Sequence, residues 1–359
     1  MRHTTFLAML MLALSFCFTA YSQEYTSIED LKKNDVDWRD YQIQGEYLYK
    51  AGDKVFAVQV IANGDGKFTL VGFPGGFPGQ GWLPGQYRIV FQGAIEGDEV
   101  VLKPVYMQNA EKWAEQIEIP EKNKGVVAKI NVKEPKIVFI TPNKPDRIAE
   151  KFQRPNPAMG MACPEDGIML YDGTSKDKTN TDMLASFREI NKDTGAMFSE
   201  FVTKDLEKGK PYMLHLEFMT SFMPRAEGQA RSNSGVYLNQ CYECQVLDSF
   251  GLRGENNECG GFYQQLRPAV NACMPPLTWQ SYDFIVYPPK FDAEGKKVQN
   301  AKVTVAHNGI LIHKDCELKH ETPGCKGEAD EPRAIYLQGH GNNVQYRNIW
   351  VQYWDEEKK

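Results

Sequence analysis

Tyr212-Met213-Leu214-His215-Leu216-Glu217-Phe218 alternates between apolar and polar side chains. An extended strand points successive side chains to opposite faces. Tyr212, Leu214, Leu216 and Phe218 therefore make one apolar face, and His215 and Glu217 stand on the other. The same split recurs outward from this stretch. Val236 and Leu238 oppose Tyr237 and Asn239, while Tyr242, Cys244 and Val246 oppose Glu243 and Gln245. Toward the C-terminus Ile335 and Leu337 alternate with Tyr336, Gln338 and His340, and Arg347 lies in the last strand. Antiparallel sheets with one buried and one wet face carry this pattern. Plain solvated faces mix Lys, Thr, Ser and Glu, whereas these collect His, Tyr, Gln, Asn, Glu and Arg with almost no lysine. Such side chains offer directional hydrogen bonds and aromatic platforms, as a sugar site requires.

The rest of the chain also reads as strand and turn, so the fold class is all-β. Asp35 to about Lys136 reads as short strands, with Asn63-Gly64-Asp65-Gly66 as a strong turn, and Ala110 to Gln116 as a helical turn or two. The segment Gly72 to Trp82 is glycine-rich, but its prolines remove amides that a phosphate cradle would need, so it reads as a rigid loop. Proline, glycine and small residues cluster at 154–165, the best domain boundary. The expected organisation is a small β-rich N-terminal domain over 23–153, a linker over 154–165 and a second β domain over 166–356. Asn308-Gly309 predicts a type I′ hairpin, with His307 packed beside it, and Trp279 reads as core.

Composition narrows the partners and the compartment. The 359 residues carry 41 Lys+Arg against 47 Asp+Glu, a net charge of -6, so no basic field exists to hold nucleic acid. Arg2, an apolar run from Phe6 to Phe18 and Ala20-Tyr21-Ser22 fit a secretory signal peptide over 1–22. No later stretch approaches the roughly 20 apolar residues of a transmembrane helix. The expected location is secreted or periplasmic, where disulfides form. Cleavage after Ser22 removes Cys17 and leaves seven of the eight cysteines. Cys241 and Cys244 sit three strand steps apart, about 10 Å, too far for a disulfide and poor for one metal. Cys316 and Cys325 flank a loop and are the first expected disulfide, and Cys259 and Cys273 are the second; an odd number of cysteines leaves at least one thiol unpaired within the chain, with Cys241 and Cys163 the first candidates.

Ile168-Met169-Leu170-Tyr171-Asp172-Gly173, Asn233-Ser234-Gly235-Val236-Tyr237, Tyr242-Glu243-Cys244-Gln245-Val246-Leu247-Asp248, Trp279-Gln280-Ser281-Tyr282-Asp283 and Tyr336-Leu337-Gln338-Gly339-His340-Gly341 with Arg347-Asn348-Ile349 resemble, in order, the 3-keto-disaccharide hydrolase domain family. The resemblance covers about residues 166 to 354. It implies a two-sheet antiparallel jelly-roll sandwich of the concanavalin A-like kind and a glycoside or oligosaccharide substrate oxidised to a 3-ketone. The ketone acidifies the C2 hydrogen, so a base forms an enolate, the C1 oxygen is expelled and water adds back. Carried onto this chain, Glu243 or His340 is the base, and Arg347 and Gln245 hold substrate or enolate oxygens. His215, Glu217, Tyr237, Asn239 and Gln338 complete the pocket, and Asp248 either caps a turn or joins them. The competing reading of Glu243 is a structural carboxylate paired with Arg347.

Two other readings fit the same strands. A retaining glycanase needs two carboxylates about 5 Å apart, and Glu243-Cys244-Gln245-Val246-Leu247 supplies one. A non-catalytic carbohydrate-binding module would use the same polar face without turnover. No cofactor follows from the sequence. Sandwiches of this kind can carry a divalent cation such as calcium, but no D-x-D-x-D-G loop occurs here and no ligands are assigned.

Overall fold

The computed structural model describes residues 23–109 and 115–354. The signal-peptide segment, with Cys17, and most of the stretch expected to be a helical turn at 110–116 lie outside the described residues. The protein is 44% strand and 6% helix.

The chain begins with two short helices, Ile28–Leu31 and Asp35–Ile43. The second replaces the strand expected from Asp35. Its start is set by Asn34, whose side chain accepts from the Asp37 amide at 3.2 Å, with Asp35 and Asp37 in the positive first turn. A nine-stranded antiparallel sheet follows. Its strands Tyr87–Glu96 and Glu99–Asn109 pair, which closes eight of the nine into a barrel; Gln116–Ile117 hangs on as the ninth. Closure removes the exposed edges that an open sheet would have. The barrel is filled by side chains including Tyr47, Val58, Val60, Phe68, Leu70, Phe91 and Phe139.

The apolar run Val55 to Ile61 lacks alternation because both of its faces are buried. Val58 and Val60 point into the barrel, while Ala57 and Ile61 join Val71, Phe73, Phe77 and Trp82 in the core of the second half. Phe77 and Trp82 come from the Pro/Gly loop, whose Gly79 has φ +76° and would drive a Cβ to 2.5 Å from Ile310.

The second half is a sandwich of two antiparallel sheets. One contains Ile168–Tyr171, Gln345–Tyr353, Tyr212–Met219, Gln280–Tyr287, Ala301–His307 and Ile310–Leu318, with Met197–Phe198 on the Gln345–Tyr353 strand. The other contains Leu184–Phe187, Phe201–Thr203, Tyr336–Leu337, Ser234–Leu238 and Tyr242–Val246. Tyr212, Leu214, Leu216 and Phe218 from the first sheet pack into one cluster with Val236, Leu238, Tyr242, Cys244 and Val246 from the second. Asn308 and Gly309 both have positive φ, at 53° and 74°, as the predicted hairpin requires. His307 is fully buried against Gln280 Oε1 at 3.0 Å, and burial pulls its pKa down to about 3.

The segment 154–165 is anchored along its first half. Arg154 Nε meets Glu46 Oε1 at 2.7 Å with side-chain exposures of 1% and 2%, and Arg154 Nη2 donates to Cys273 O at 3.0 Å. Asn156 bonds Ser281 Oγ at 3.1 Å and Asn308 Oδ1 at 2.9 Å. One buried ion pair thus ties the barrel to the sandwich. Removing one partner of such a pair strands the other charge and costs about 3–5 kcal/mol. Arg154→Met is expected to lose that much in urea unfolding, and Glu46→Gln/Arg154→Met to regain a large part of it. Equal losses in the single and double variants would show that the pair is not the tie.

Candidate active site

The packing of the two sheets sends the polar residues outward on opposite sides of the sandwich, so the sequence-predicted residues divide into two groups.

On the five-stranded sheet Glu243 stands directly across from Tyr237, and Gln245 across from Gly235. A Cβ on Gly235 would lie 2.3 Å from Glu243 Oε1. The glycine is the notch in which the carboxyl lies flat on the sheet. Glu243 is 4% exposed and its amide donates to Thr322 Oγ1 at 2.9 Å. Its carboxyl makes no ion pair with any described residue. Burial therefore pushes its pKa up to about 7, against a smaller downward pull from the Tyr237 hydroxyl. Tyr237 is itself raised by burial and by the Glu243 charge, so its hydroxyl stays a donor. Gln338 Nε2 donates to Tyr237 Oη at 3.1 Å, while Gln338 Oε1 is buried with no hydrogen-bond partner among the described residues. Gln245 Nε2 bonds Asn233 Oδ1 at 3.0 Å and Gln229 Oε1 at 3.1 Å. Tyr336 packs on Tyr237 with ring centroids 5.4 Å apart. His340 lies exposed on the loop two residues beyond Gln338.

On the outer face of the seven-stranded sheet lie His215, Glu217 and Arg347. His215 Nδ1 is 2.7 Å from Asp283 Oδ1, and Arg347 Nε is 2.7 Å from Glu217 Oε2. Asn348 Nδ2 donates to Glu217 Oε1 at 3.0 Å and the Gly160 amide to the same oxygen at 2.6 Å. Burial alone would raise the Glu217 pKa, yet the nearby His215 ring and the bonds from Asn348, Arg347 and Gly160 outweigh it and hold the group at about 2. Burial alone would lower that of His215, but Asp283 and Glu217 raise it. His215 and Glu217, 0% and 1% exposed, are covered by residues 159–161, which Asn348 and the Trp350 indole tie down through Met161 O.

The alternative pairing of Glu243 with Arg347 is thereby overturned, because Arg347 belongs to Glu217 across the sandwich from Glu243. Its guanidinium also lies 4.0 Å from the Trp279 ring centroid. Trp279 is half-buried and lines a cleft, where the sequence reading made it core. Asn239 is a turn residue with φ 53° that accepts from Tyr212 Oη at 2.8 Å. Asp248 is buried against Arg231 Nε at 2.7 Å and caps the Phe250 amide at 3.3 Å.

The expected disulfides need correcting. All seven described cysteines are free. Cys316 does not pair with Cys325, because the intervening loop carries Cys325 to the Cys241 hairpin, where the two Sγ atoms lie 3.9 Å apart. Hydrogen bonds from Thr322 N to Cys241 O and Lys326 N to Gln240 O hold it there. Cys259 and Cys273 are both buried in the core as free thiols, with Cys259 Sγ 3.1 Å from Tyr282 Oη and Cys273 Sγ donating to Met274 O at 3.4 Å. Among the described residues no group of three or more His, Cys, Asp or Glu is placed to hold a metal ion.

Sequence reasoning missed the work of Gly235, Asn348, Asp283 and Thr322. A glycine inside an otherwise well-formed strand was the available signal for Gly235.

A family model described as 3-keto-alpha-glucoside-1,2-lyase-like domain matches residues 160–352. Comparison with curated proteins finds no match. Among solved structures, the chain is similar to two proteins of Parabacteroides distasonis ATCC 8503, each described provisionally as a glycosyl hydrolase. The first is 27% identical with a TM-score of 0.46, over 53% of this chain and 85% of that one. The second is 14% identical with a TM-score of 0.36, over 53% of this chain and 95% of that one.

A carboxyl whose pKa is higher folded than unfolded makes the native state bind a proton more tightly. Stability then falls as pH rises from the ordinary value of 4.5 to about 7, by at most about 3 kcal/mol. Glu243→Gln is expected to raise the melting temperature at pH 8 and leave it nearly unchanged at pH 4. An equal effect at both pH values would contradict a desolvated carboxylate.

Proposed function

Because the chain belongs to the 3-keto-alpha-glucoside-1,2-lyase-like domain family over residues 160–352, we propose that it is a carbohydrate-active enzyme that cleaves 3-keto-glycosides by elimination across C1 and C2. The observation that carries this reading is Glu243: a buried carboxyl without a cation, poised near neutrality, among hydroxyl and amide groups. A general base works best when its pKa lies near the working pH.

In the proposed sequence Glu243 takes the C2 proton, and the C2–H electron pair becomes a C2=C3 enolate with the charge on the ketone oxygen. The Tyr237 hydroxyl, kept protonated by burial and turning from Glu243 to the substrate as Glu243 takes up its proton, and the Gln338 amide are the donors for that oxygen. The enolate then reforms the ketone, a C1=C2 double bond forms, and the aglycone oxygen leaves C1 with its bonding pair and takes the proton that Glu243 holds, which returns Glu243 to its carboxylate. Addition of water, hydroxyl to C1 and hydrogen to C2, gives the free 3-keto sugar. Arg347 drops out of the set of groups near the substrate, since it is engaged on the opposite face. A retaining glycanase needs a second carboxylate about 5 Å away, whose charge would help to raise the Glu243 pKa, and burial alone accounts for that rise. With the N-terminal segment read as a secretory signal, the reaction would take place in the periplasm or outside the cell.

Incubation with a 3-keto-disaccharide beside its unoxidised parent tests the reading. Release of the aglycone sugar from the keto form alone is expected, with kcat/KM rising about tenfold per pH unit up to about 7 and then levelling, because the base must be ionised. Glu243→Gln should lose roughly 10²–10⁴-fold. Release from both substrates would overturn the keto-specific chemistry, and release from neither would leave a binding module as the better reading.

A further inference from the structure

A cleft of about 1050 Å³ opens where the barrel meets the outer face of the seven-stranded sheet. It matches the upper end of the range for small-molecule sites. The proposed chemistry does not use it, since Glu243 lies on the other side of the sandwich. The charged residues that line it are Lys151, Arg154, Arg347 and Glu46; Arg154 is paired with Glu46 and Arg347 with Glu217, so Lys151 is the lining cation without an acid partner among the described residues, in a chain whose net charge is -6.

Aromatic rings stand on both walls. Trp38 and Tyr41 are stacked with centroids 5.9 Å apart and planes at 19°, and Trp279, from the chain's second half, lines the same cleft with the Arg347 guanidinium over its ring. Two donors beside the cleft, Gln44 Nε2 and Arg154 Nη1, have no hydrogen-bond partner among the described residues, although their residues are only 3% and 2% exposed. Donors of this kind are costly to leave unmade. The cationic groups are also fixed in advance. Arg347 is held by Glu217, and Arg154 by Glu46 and the Cys273 carbonyl. Groups already immobilised lose little freedom when a ligand arrives.

We propose that this cleft is a second binding site, for an oligosaccharide that carries carboxylates, an oligouronate being the simplest case. The aromatic rings pack on sugar rings, the Lys151 ammonium takes a carboxylate, and a small shift of Gln44 or Arg154 would bring its unpartnered donor to a hydroxyl or ring oxygen. The cleft joins the barrel to the sandwich, which gives the N-terminal half a part in holding an acidic glycan.

Isothermal titration of the Glu243→Gln full chain with tetragalacturonate and, separately, with neutral cellotetraose tests this. That variant removes the proposed base, so the binding result stands or falls independently of the 3-keto reading. The acidic tetrasaccharide is expected to bind at least about tenfold more tightly than the neutral one, and to weaken as salt is raised. Lys151→Glu, an exposed change whose folding is checked by its melting temperature, should weaken the acidic ligand about tenfold. Trp279→Phe should weaken it while preserving the salt dependence. Equal binding of both sugars, binding of neither, or indifference to Lys151→Glu would overturn the proposal.

Discussion

The contact between the two sheets of the sandwich governs everything else in this protein. Leu214, Leu216 and Phe218 on one sheet and Val236, Cys244 and Val246 on the other bury each other completely. Strand geometry leaves their neighbours no choice but to point outward. That one constraint places Glu243 and Tyr237 on one outside surface and His215 and Glu217 on the other. A register slip of one residue would exchange apolar core for carboxylate along a whole strand, so the position of the chemistry is as firmly specified as the core.

The two outward glutamates then show how partners decide charge. Both are buried, and burial pushes both pKa values up. Glu217 receives hydrogen bonds from Asn348, Arg347 and a backbone amide, with His215 Nε2 3.9 Å away, and falls to about 2. Glu243 has only the nearby Tyr237 hydroxyl to pull it down, and stays at about 7. The first is a permanent anion that pins residues 159–161 and aims Arg347 at Trp279; the second can exchange a proton at neutral pH. Glu217 therefore belongs to the architecture, and Glu243 is the group suited to acid–base work.

Much of this was legible in the alternation of Tyr212–Phe218, because a half-buried strand writes its inner face into the sequence. The Asn308-Gly309 hairpin was legible for a similar reason, since positive φ at both positions favours those residues. Parity fails one step further on. It says that Arg347 and Glu243 are outward, yet carries no information on which sheet each belongs to, and so the two were assigned to one pocket. The barrel was hidden for the same reason: its closing pairs include Gly45–Ala51 with Arg147–Phe152, strands far apart in sequence. Cys316 and Cys325 misled because proximity along the chain stood in for proximity in space, while the loop between them crosses to Cys241.

The central claim is that Glu243 is a desolvated carboxyl set on Gly235, and its titration measures that directly. Carbon-13 NMR of glutamate-labelled protein, with the Glu243 resonance assigned by its loss in Glu243→Gln, should give a midpoint near pH 7, well above the ordinary 4.5. A midpoint at or below 4.5 would contradict the account, since it would mean that water or an unrecognised cation solvates the carboxylate and that it has no special fitness as a base.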